Sequence, residues 1–285
     1  NNENRVIEFY NRNNTLDNYY EQIIEKKNNY NNDYRKLLFE VLNNNYQNVP
    51  KNFIQLKAIK ALKNHNTFTV TTGHQLNLFT GPLYFFYKII DTIKICNELK
   101  SKYPKNEFLP IYWMASEDHD FKEINFFKTT DKRFDWNIST KGKVGELKTY
   151  SLKTLFNEIK NFFGKENINS KKLLKLFKES YLNNNKLSNA TFSLVHSLFG
   201  KYGLLILNPD DVKLKKIICN DIIDEIKKQD CYKSVKEINK KLSDINIKPQ
   251  VNPREINLFY IKNNLRSRIE KKNSQYNILD TKKSF

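Results

Sequence analysis

The stretch from Thr67 to Met114, TFTVTTGHQLNLFTGPLYFFYKIIDTIKICNELKSKYPKNEFLPIYWM, changes its periodicity twice and decides the fold class. Thr67-Phe-Thr-Val-Thr-Thr72 is β-branched and aromatic and stops at Gly73, which is the composition of a strand. Gly81-Pro82 then opens a helix with proline in its first turn, running to about Lys100 ahead of Tyr103-Pro104. Phe108-Leu-Pro-Ile-Tyr-Trp-Met114 is almost wholly apolar, as a strand covered on both faces should be. Strand, helix and strand in this order form a βαβ unit, so the two strands are expected to lie parallel with a right-handed crossover.

Outward from this unit the chain divides into four stretches. Residues 1–65 read as a helical N-terminal segment, with Leu16, Tyr20, Ile23 and Ile24, then Leu37, Leu38, Val41 and Leu42, then Phe53, Leu56, Ile59 and Leu62 at helical spacing. Residues 66–123 hold the first part of the core. Residues 124–200 read as an inserted connecting region. It starts irregularly, with strand-like runs at Ile124–Phe127 and Phe134–Trp136, and continues as helices at about 151–163, 171–182 and 188–200. No site is expected in the part from Ile124 to Tyr150. Residues 201–285 return to the core through the apolar strand Gly203-Leu-Leu-Ile-Leu207. A helix capped by Asp210 or Asp211 follows, with Val212, Leu214, Ile217, Ile218, Ile222 and Ile226 on its inner side. A hairpin is expected beyond Pro249, pairing Ile256–Ile261 with Arg266–Ile269. The architecture predicted is α/β, a parallel sheet core with helical and small irregular insertions.

The 285 residues suffice for one large or two ordinary domains without staples. Three cysteines, Cys96, Cys219 and Cys231, show no metal-type spacing and argue against a disulfide framework, so a reducing compartment is expected. Cys96 and Cys219 lie among isoleucines and read as core, while His65 and His196 read as structural. No window approaches the length of a membrane span, and the polar N-terminus resembles neither signal peptide nor anchor, so the expectation is a cytoplasmic protein without membrane contact. The missing initiator Met, and an end at Asp280–Phe285 without a terminal element, read as a fragment. The formal charge of +18 invites a nucleic-acid reading, but only seven of the 49 basic residues are arginines and the lysines are diffuse. They fit solvated faces better, and no nucleic-acid partner is expected.

Chemistry is expected where composition departs from that background. From Asn66 to Tyr87 there is no Asp, Glu, Lys or Arg, in a chain that is 28% charged. Gly73 and Gly81, two of only seven glycines, bracket the connection from strand to helix and enclose His74 and Gln75. Ligands of open α/β sheets bind outside the carboxyl ends of the strands, and a helix N-terminus favours anions. The loop is therefore a candidate phosphate or carboxylate site, or else a buried connection whose glycines serve only turn and packing. Neither a dinucleotide fingerprint nor a Walker loop is present. Lys88 lies two turns into the helix, on the face of Tyr84 and Asp91, within reach of an anion at the sheet edge. After the second strand, Glu117, Asp118, His119 and Asp120 place three carboxylates and an imidazole together. Such a group can pass a proton or hold a divalent cation, or it can be the acidic first turn of a helix capped by Ser116. Asn208, with Asp210 and Asp211, adds polar groups at the end of the third strand.

Thr71-Thr-Gly-His-Gln75, Phe79-Thr-Gly-Pro-Leu-Tyr84 with Lys88, and Tyr112-Trp-Met-Ala-Ser-Glu-Asp-His-Asp-Phe121 closely resemble the bacillithiol-biosynthesis cysteine-adding enzymes, the cysteine ligases that join cysteine to glucosaminyl malate. Pro253-Arg-Glu-Ile-Asn-Leu-Phe-Tyr260 resembles the version found in Bacteroidetes-type bacteria. The resemblance covers essentially the whole chain. It implies a Rossmann-like core with inserted connecting segments. It also implies use of ATP, with Mg²⁺ as a candidate companion, to activate the cysteine carboxylate as an adenylate that the amine of glucosaminyl malate attacks. Family members are about twice this length, and their remainder includes a coiled coil, so the full-length protein is expected to be a homodimer. Gly73, His74, Gln75, Gly81 and Lys88 match the family's first motif, and Glu117, Asp118, His119 and Asp120 its second. Many relatives carry Gln where His74 stands, which argues against His74 as an obligatory proton-transfer group. Two further readings remain open from the sequence: a nucleotidyltransferase-like enzyme acting on another small anionic substrate, and a basic nucleic-acid-binding module.

Overall fold

The computed structural model describes residues 5–47, 49–50, 53–164, 167–262, 265–273 and 275–279. Contacts group them into two units, one spanning Lys27–Leu214 and the other joining the chain up to Lys26 with the chain from Lys215 onward. The boundary falls within α1 (Tyr19–Asn29), and the larger unit continues with α2 (Asn32–Asn45) and α3 (Phe53–Ala61). Then come β1 (Thr67–His74), α4 (Tyr84–Lys102), β2 (Glu107–Met114), the single turn α5 (Phe121–Ile124), β3 (Phe126–Lys128) and β4 (Arg133–Asp135). The helices α6 (Leu152–Phe163), α7 (Ile168–Phe177) and α8 (Leu187–Phe199) lead to β5 (Leu205–Leu207).

β1, β2 and β5 form a parallel sheet in that order, with Gly73 opposite Trp113 and Trp113 opposite Leu207. β2 lies between the other two, which is why its run from Phe108 to Tyr112 is buried without a break, whereas β1 at the edge alternates. The strand period of two sends successive side chains to opposite faces and so builds two cores on one sheet. Leu109, Ile111, Leu205 and Leu207 pack with Val41, Leu42, Tyr46, Ile59 and Leu62 of the segment containing α2 and α3. Tyr112, Met114 and Ile206 pack with Phe85 and Ile89 of α4 and with Leu155, Ile159, Leu194 and Val195 of the inserted helices. Helices on both faces of a parallel sheet give the expected α/β architecture, with the carboxyl ends of all three strands at one edge. β3 and β4 make a small antiparallel hairpin in the inserted region.

In the smaller unit, α9 (Val212–Ile217), which starts just before the boundary, is followed by α10 (Cys219–Lys228) and α11 (Asp230–Asp244). Here the expectation of an inner apolar face from Val212 to Ile226 fails. The helix is interrupted at Ile218, and no residue of α9, α10 or α11 is fully buried: Leu214, Ile222 and Ile226 are half-buried, and Val212, Ile217 and Ile218 are exposed. Cys219 is exposed as well, whereas Cys96 is buried on α4 and its thiol pKa is pushed up to about 12 by desolvation. The expected hairpin is present as β6 (Phe259–Lys262) paired with β7 (Leu265–Lys272), Phe259 opposite Arg268, and β8 (Gln275–Ile278) extends it to three antiparallel strands. Among the described residues, no helix is long and apolar enough to cross a membrane.

Candidate functional site

The loop after β1 is built largely by what it buries. His74 closes the strand on the α4 side, with its ring between those of Tyr84 and Phe85 at 5.1 and 5.2 Å. Burial, helped by the nearby charge of Lys88, lowers its pKa against the opposing pull of the Gln75 carbonyl and Asn77, so His74 is held neutral. Leu76 and Leu78 are buried, and Phe79, Thr80 and Gly81 take left-handed φ values of 49°, 75° and 62° in succession. Such a run in two non-glycine residues needs external support. Phe79 has it: its ring stacks on Phe177 and lies 4.6 Å from Phe127, and its N–H donates to the Tyr181 hydroxyl at 3.0 Å. Tyr181 sits in a π-helical turn, Lys178–Leu182, that prolongs α7. Gly81 N–H closes on Leu78 O at 2.9 Å. Two of the backbone donors expected to face an anion are thus spent inside the protein. Lys88 is exposed at the rim and donates to the carbonyl of Gly73.

The loop after β2 is tied to this one. Gln75 donates through Nε2 both to Asp118 Oδ2 and to Glu123 Oε2, at 2.8 Å each, and Asn77 Nδ2 donates to Glu123 O at 3.2 Å. Asp118 Oδ1 accepts from the His119 N–H at 2.6 Å and the Asp120 N–H at 3.4 Å. Burial alone would raise the pKa of Asp118. The bonds from Gln75 and the two N–H groups outweigh it and hold the group below its ordinary value, hence ionised. The His119 ring lies 3.4 Å from Asp118 on one nitrogen and 3.4 Å from Asp120 on the other. Ser116 does not cap a helix: its hydroxyl bonds Asn208 Oδ1 at 2.5 Å, and that oxygen also takes the Asp210 N–H at 3.1 Å. All three strand ends are thereby joined.

Residues 1–285 match the family described as bacillithiol biosynthesis BshC, N-terminal Rossmann-like domain. The chain belongs to this family. A relative from Flavobacterium psychrophilum is 50% identical over 279 residues, which is 98% of this chain and 52% of the relative. Relatives from Flavobacterium johnsoniae and Cytophaga hutchinsonii are 47% and 37% identical, over 97% and 88% of this chain and 52% and 46% of their own lengths. Each carries the provisional name cysteine ligase BshC. The chain spans about half the length of these curated relatives.

In this Rossmann-like domain of the BshC family, the two motifs read from the sequence meet at the strand ends, Gln75 with Asp118 and Ser116 with Asn208. Sequence reasoning passed over Glu123, Lys143, Val144 and Gly145. Glu123 is the second carboxylate held by Gln75. In the stretch where no site was expected, Gly145 N–H donates to Ser116 O at 2.9 Å and Val144 N–H to Asp118 O at 2.7 Å. A Cβ on Gly145 would come within 2.7 Å of the Ser116 carbonyl, so this turn needs glycine for close approach. Lys143 and Asp210, both mostly buried, pair at 2.5 Å and fix the turn to the loop after β5. The signal available was Gly142 and Gly145, two more glycines in a chain with only seven.

Asp118, His119 and Asp120 bring potential metal-ligand atoms within 4.8 Å of one another. Mg²⁺ asks for octahedral oxygen ligation. Both oxygens of Asp118 already accept hydrogen bonds and the third group is an imidazole, so the trio fits Mg²⁺ poorly. For a nucleotide, the rim offers the Lys88 ammonium on its exposed side, which fits a small anionic group there and not in the turn at Phe79–Gly81.

Proposed function

We propose that this chain is the Rossmann-like part of an ATP-dependent cysteine ligase that adds cysteine to glucosaminyl malate in the last step of bacillithiol biosynthesis, acting in the cytoplasm. Membership of the bacillithiol biosynthesis family supports the pathway. The single observation that carries the chemistry is the join of Gln75 to Asp118 and Glu123 at the carboxyl edge of the sheet, since it sets a pair of carboxyl groups where such sheets bind ligands. ATP would supply the activation of the cysteine carboxylate. Lys88 would turn from the Gly73 carbonyl to an anionic group of the bound substrate, with Gly73 and Gly81 shaping the loop that lets it approach. Asp118, kept ionised by its donors, would orient the incoming amine, and His119 would pass its proton towards Asp120, with Glu117 completing the acidic group. Gln75 and Asn208 position these loops, and His74, neutral and buried, holds the end of β1. The complete protein would work as a homodimer.

Isotope exchange between ATP and pyrophosphate tests the reading. Exchange that needs cysteine is the expected outcome, and Asp118→Asn at unchanged folding should keep that exchange while amide formation with the acceptor amine falls on the order of a hundredfold, as for a positioned acid–base group. Exchange driven by another carboxylic acid would move the assignment to a nucleotidyltransferase acting on a different substrate.

A further inference from the structure

We infer that the cleft between the segment Arg254–Ile256 and β7 is a binding site for a small tetrahedral oxyanion, a free phosphate or sulfate, gripped by Arg254 and Arg268. The site goes beyond the ligase reading, and every residue lining it belongs to the smaller unit. The sheet itself opens the cleft. β6 ends its pairing with β7 at Phe259–Arg268, and the chain before Phe259 leaves the ladder. β8 takes the other edge of β7: Ile269 pairs with Ile278 and Lys272 with Gln275, and Leu279 N–H donates to Arg268 O at 2.9 Å. Antiparallel strands exchange main-chain bonds at every second residue, so Arg268, Glu270 and Lys272 face β8. The N–H groups of Ile269 and Lys271 then face the edge that β6 has left. The cleft there measures about 310 Å³, at the lower end of the range for small-molecule sites, which suits an ion rather than a nucleotide.

The use of arginine singles this place out. Only seven of the 49 basic residues are arginines, and five of them are engaged within the protein. Arg12 pairs with Glu25 at 2.6 Å and Arg133 with Asp135 at 2.7 Å. Arg35 donates to Thr67 O at 2.9 Å, Arg5 donates to Ile245 O, and Arg266 lies 3.4 Å over the Phe259 ring. Arg254 and Arg268 both line the cleft, and among the described residues their side chains make no hydrogen bond, ion pair or ring contact. Glu255 and Glu270 line the same cleft, yet neither pairs with a guanidinium there; Glu270 stands 3.8 Å from Lys272 instead. A guanidinium is a planar fork that takes two oxygens of one anion. Two forks from different walls ask for oxygens on more than one side, which a tetrahedral oxyanion offers and a single planar carboxylate does not. Lys271 makes three cations against two carboxylates in the lining, and the buried Ile256 and Ile269 lower the local dielectric beside them. A bound oxyanion would join the segment to β7 where the ladder stops.

The arginine Nε–Hε spectrum of the nitrogen-15-labelled chain tests this, because seven arginines give few signals and Arg254→Lys and Arg268→Lys assign the two concerned. Titration with inorganic phosphate, and separately with sulfate, at constant ionic strength is expected to shift both signals along one saturable curve. Acetate and chloride should leave them nearly in place. Arg268→Ala should weaken phosphate about tenfold, as the loss of a charge-assisted fork implies, and Glu270→Gln should tighten it by severalfold by removing a carboxylate from the lining. Opposite signs at two positions of one strand separate binding from loss of the fold. Shifts that acetate or chloride reproduce, signals that phosphate and sulfate leave unmoved, or a Glu270→Gln chain that binds phosphate no more tightly than wild type would overturn the proposal. So would ATP displacing phosphate from the two arginines at equal concentration.

Discussion

Gly73 and Gly81 bracket the same loop, yet alanine at the two positions should have opposite outcomes. At Gly81 the backbone has φ 62° and ψ −132°, a region open essentially to glycine, where a side chain costs about 1–3 kcal/mol in strain. An added Cβ would also stand 2.5 Å from Asn77 Cβ and 2.8 Å from its Cγ. Asn77 is 8% exposed and its amide is held by Glu123 O, so moving it sacrifices a hydrogen bond of about 1 kcal/mol. Gly81→Ala should therefore destabilise the larger unit by about 2–4 kcal/mol, or roughly 4–16 °C in Tm for a unit of this size. At Gly73 the φ is not left-handed and the nearest neighbour of a new Cβ is 3.7 Å away, so Gly73→Ala should be neutral or stabilising by up to about 1 kcal/mol. Both tryptophans, Trp113 and Trp136, lie in the larger unit, so a fluorescence melt reads that unit alone. Asn77→Ala placed in the Gly81→Ala background should cost less than its cost in the wild type, because the displaced Asn77 has already given up its bond to Glu123 O and its Cγ and Nδ2 no longer crowd the new methyl. A Gly81→Ala melt within 1 °C of wild type, or equal damage at Gly73, would refute this account of the loop.

Tyr181→Phe removes the hydroxyl that accepts the Phe79 N–H; a loss of about 1–2 kcal/mol in the same melt is expected, with weaker cysteine-dependent exchange because Phe79 opens the turn to Gly81. Stability should also fall as the pH drops. His74 and His196 have folded pKa values below the ordinary 6.5, both chiefly through burial, so the unfolded chain binds protons first and stability declines as pH falls through about 6.5. Asp118 adds a second loss at lower pH, its contribution being full above the usual carboxylate value of 3.8 and disappearing as pH falls through its folded pKa. Melts between pH 7.5 and 5.5 check the histidine part: the slope should flatten in His74→Gln, and an unchanged slope would contradict its burial as a neutral ring.

The parallel sheet was legible because β1 and β2 each carry an unmistakable period and the helix between them has its own punctuation at Gly81-Pro82 and Tyr103-Pro104. Both candidate motifs were visible for a simpler reason: one lacks charge and the other concentrates it. What could not be read was which partners those groups would choose. Ser116 has the look of a helix cap, but Asn208 from a strand 92 residues later takes its hydroxyl. Glu123 looks like the exposed side of a short helix until Gln75 reaches it from the neighbouring loop. The same limit explains the error at Val212–Ile226: a helical stripe states that one face is apolar and not how deeply it is covered, and here the chain breaks at Ile218 and leaves the stripe half-buried at most.

The electrostatic arrangement follows from this partnering. A lysine at position 75 would bring Asp118 and Glu123 together by neutralising them, and the acidity of the cluster would be lost to the pair. The Gln75 amide joins them without adding charge, through two N–H bonds from one nitrogen, and helps to hold Asp118 ionised within a chain of formal charge +18. The background of lysines attracts anions to the molecule as a whole, while this cluster repels them locally. Lys88 on one side and Asp118, Asp120 and Glu123 on the other make this edge of the sheet polar end to end. That division also assigns the insertions their work: the π turn with Tyr181 shapes the loop leading to Lys88, and the segment from Asn137 to Gly145 walls and braces the acidic side.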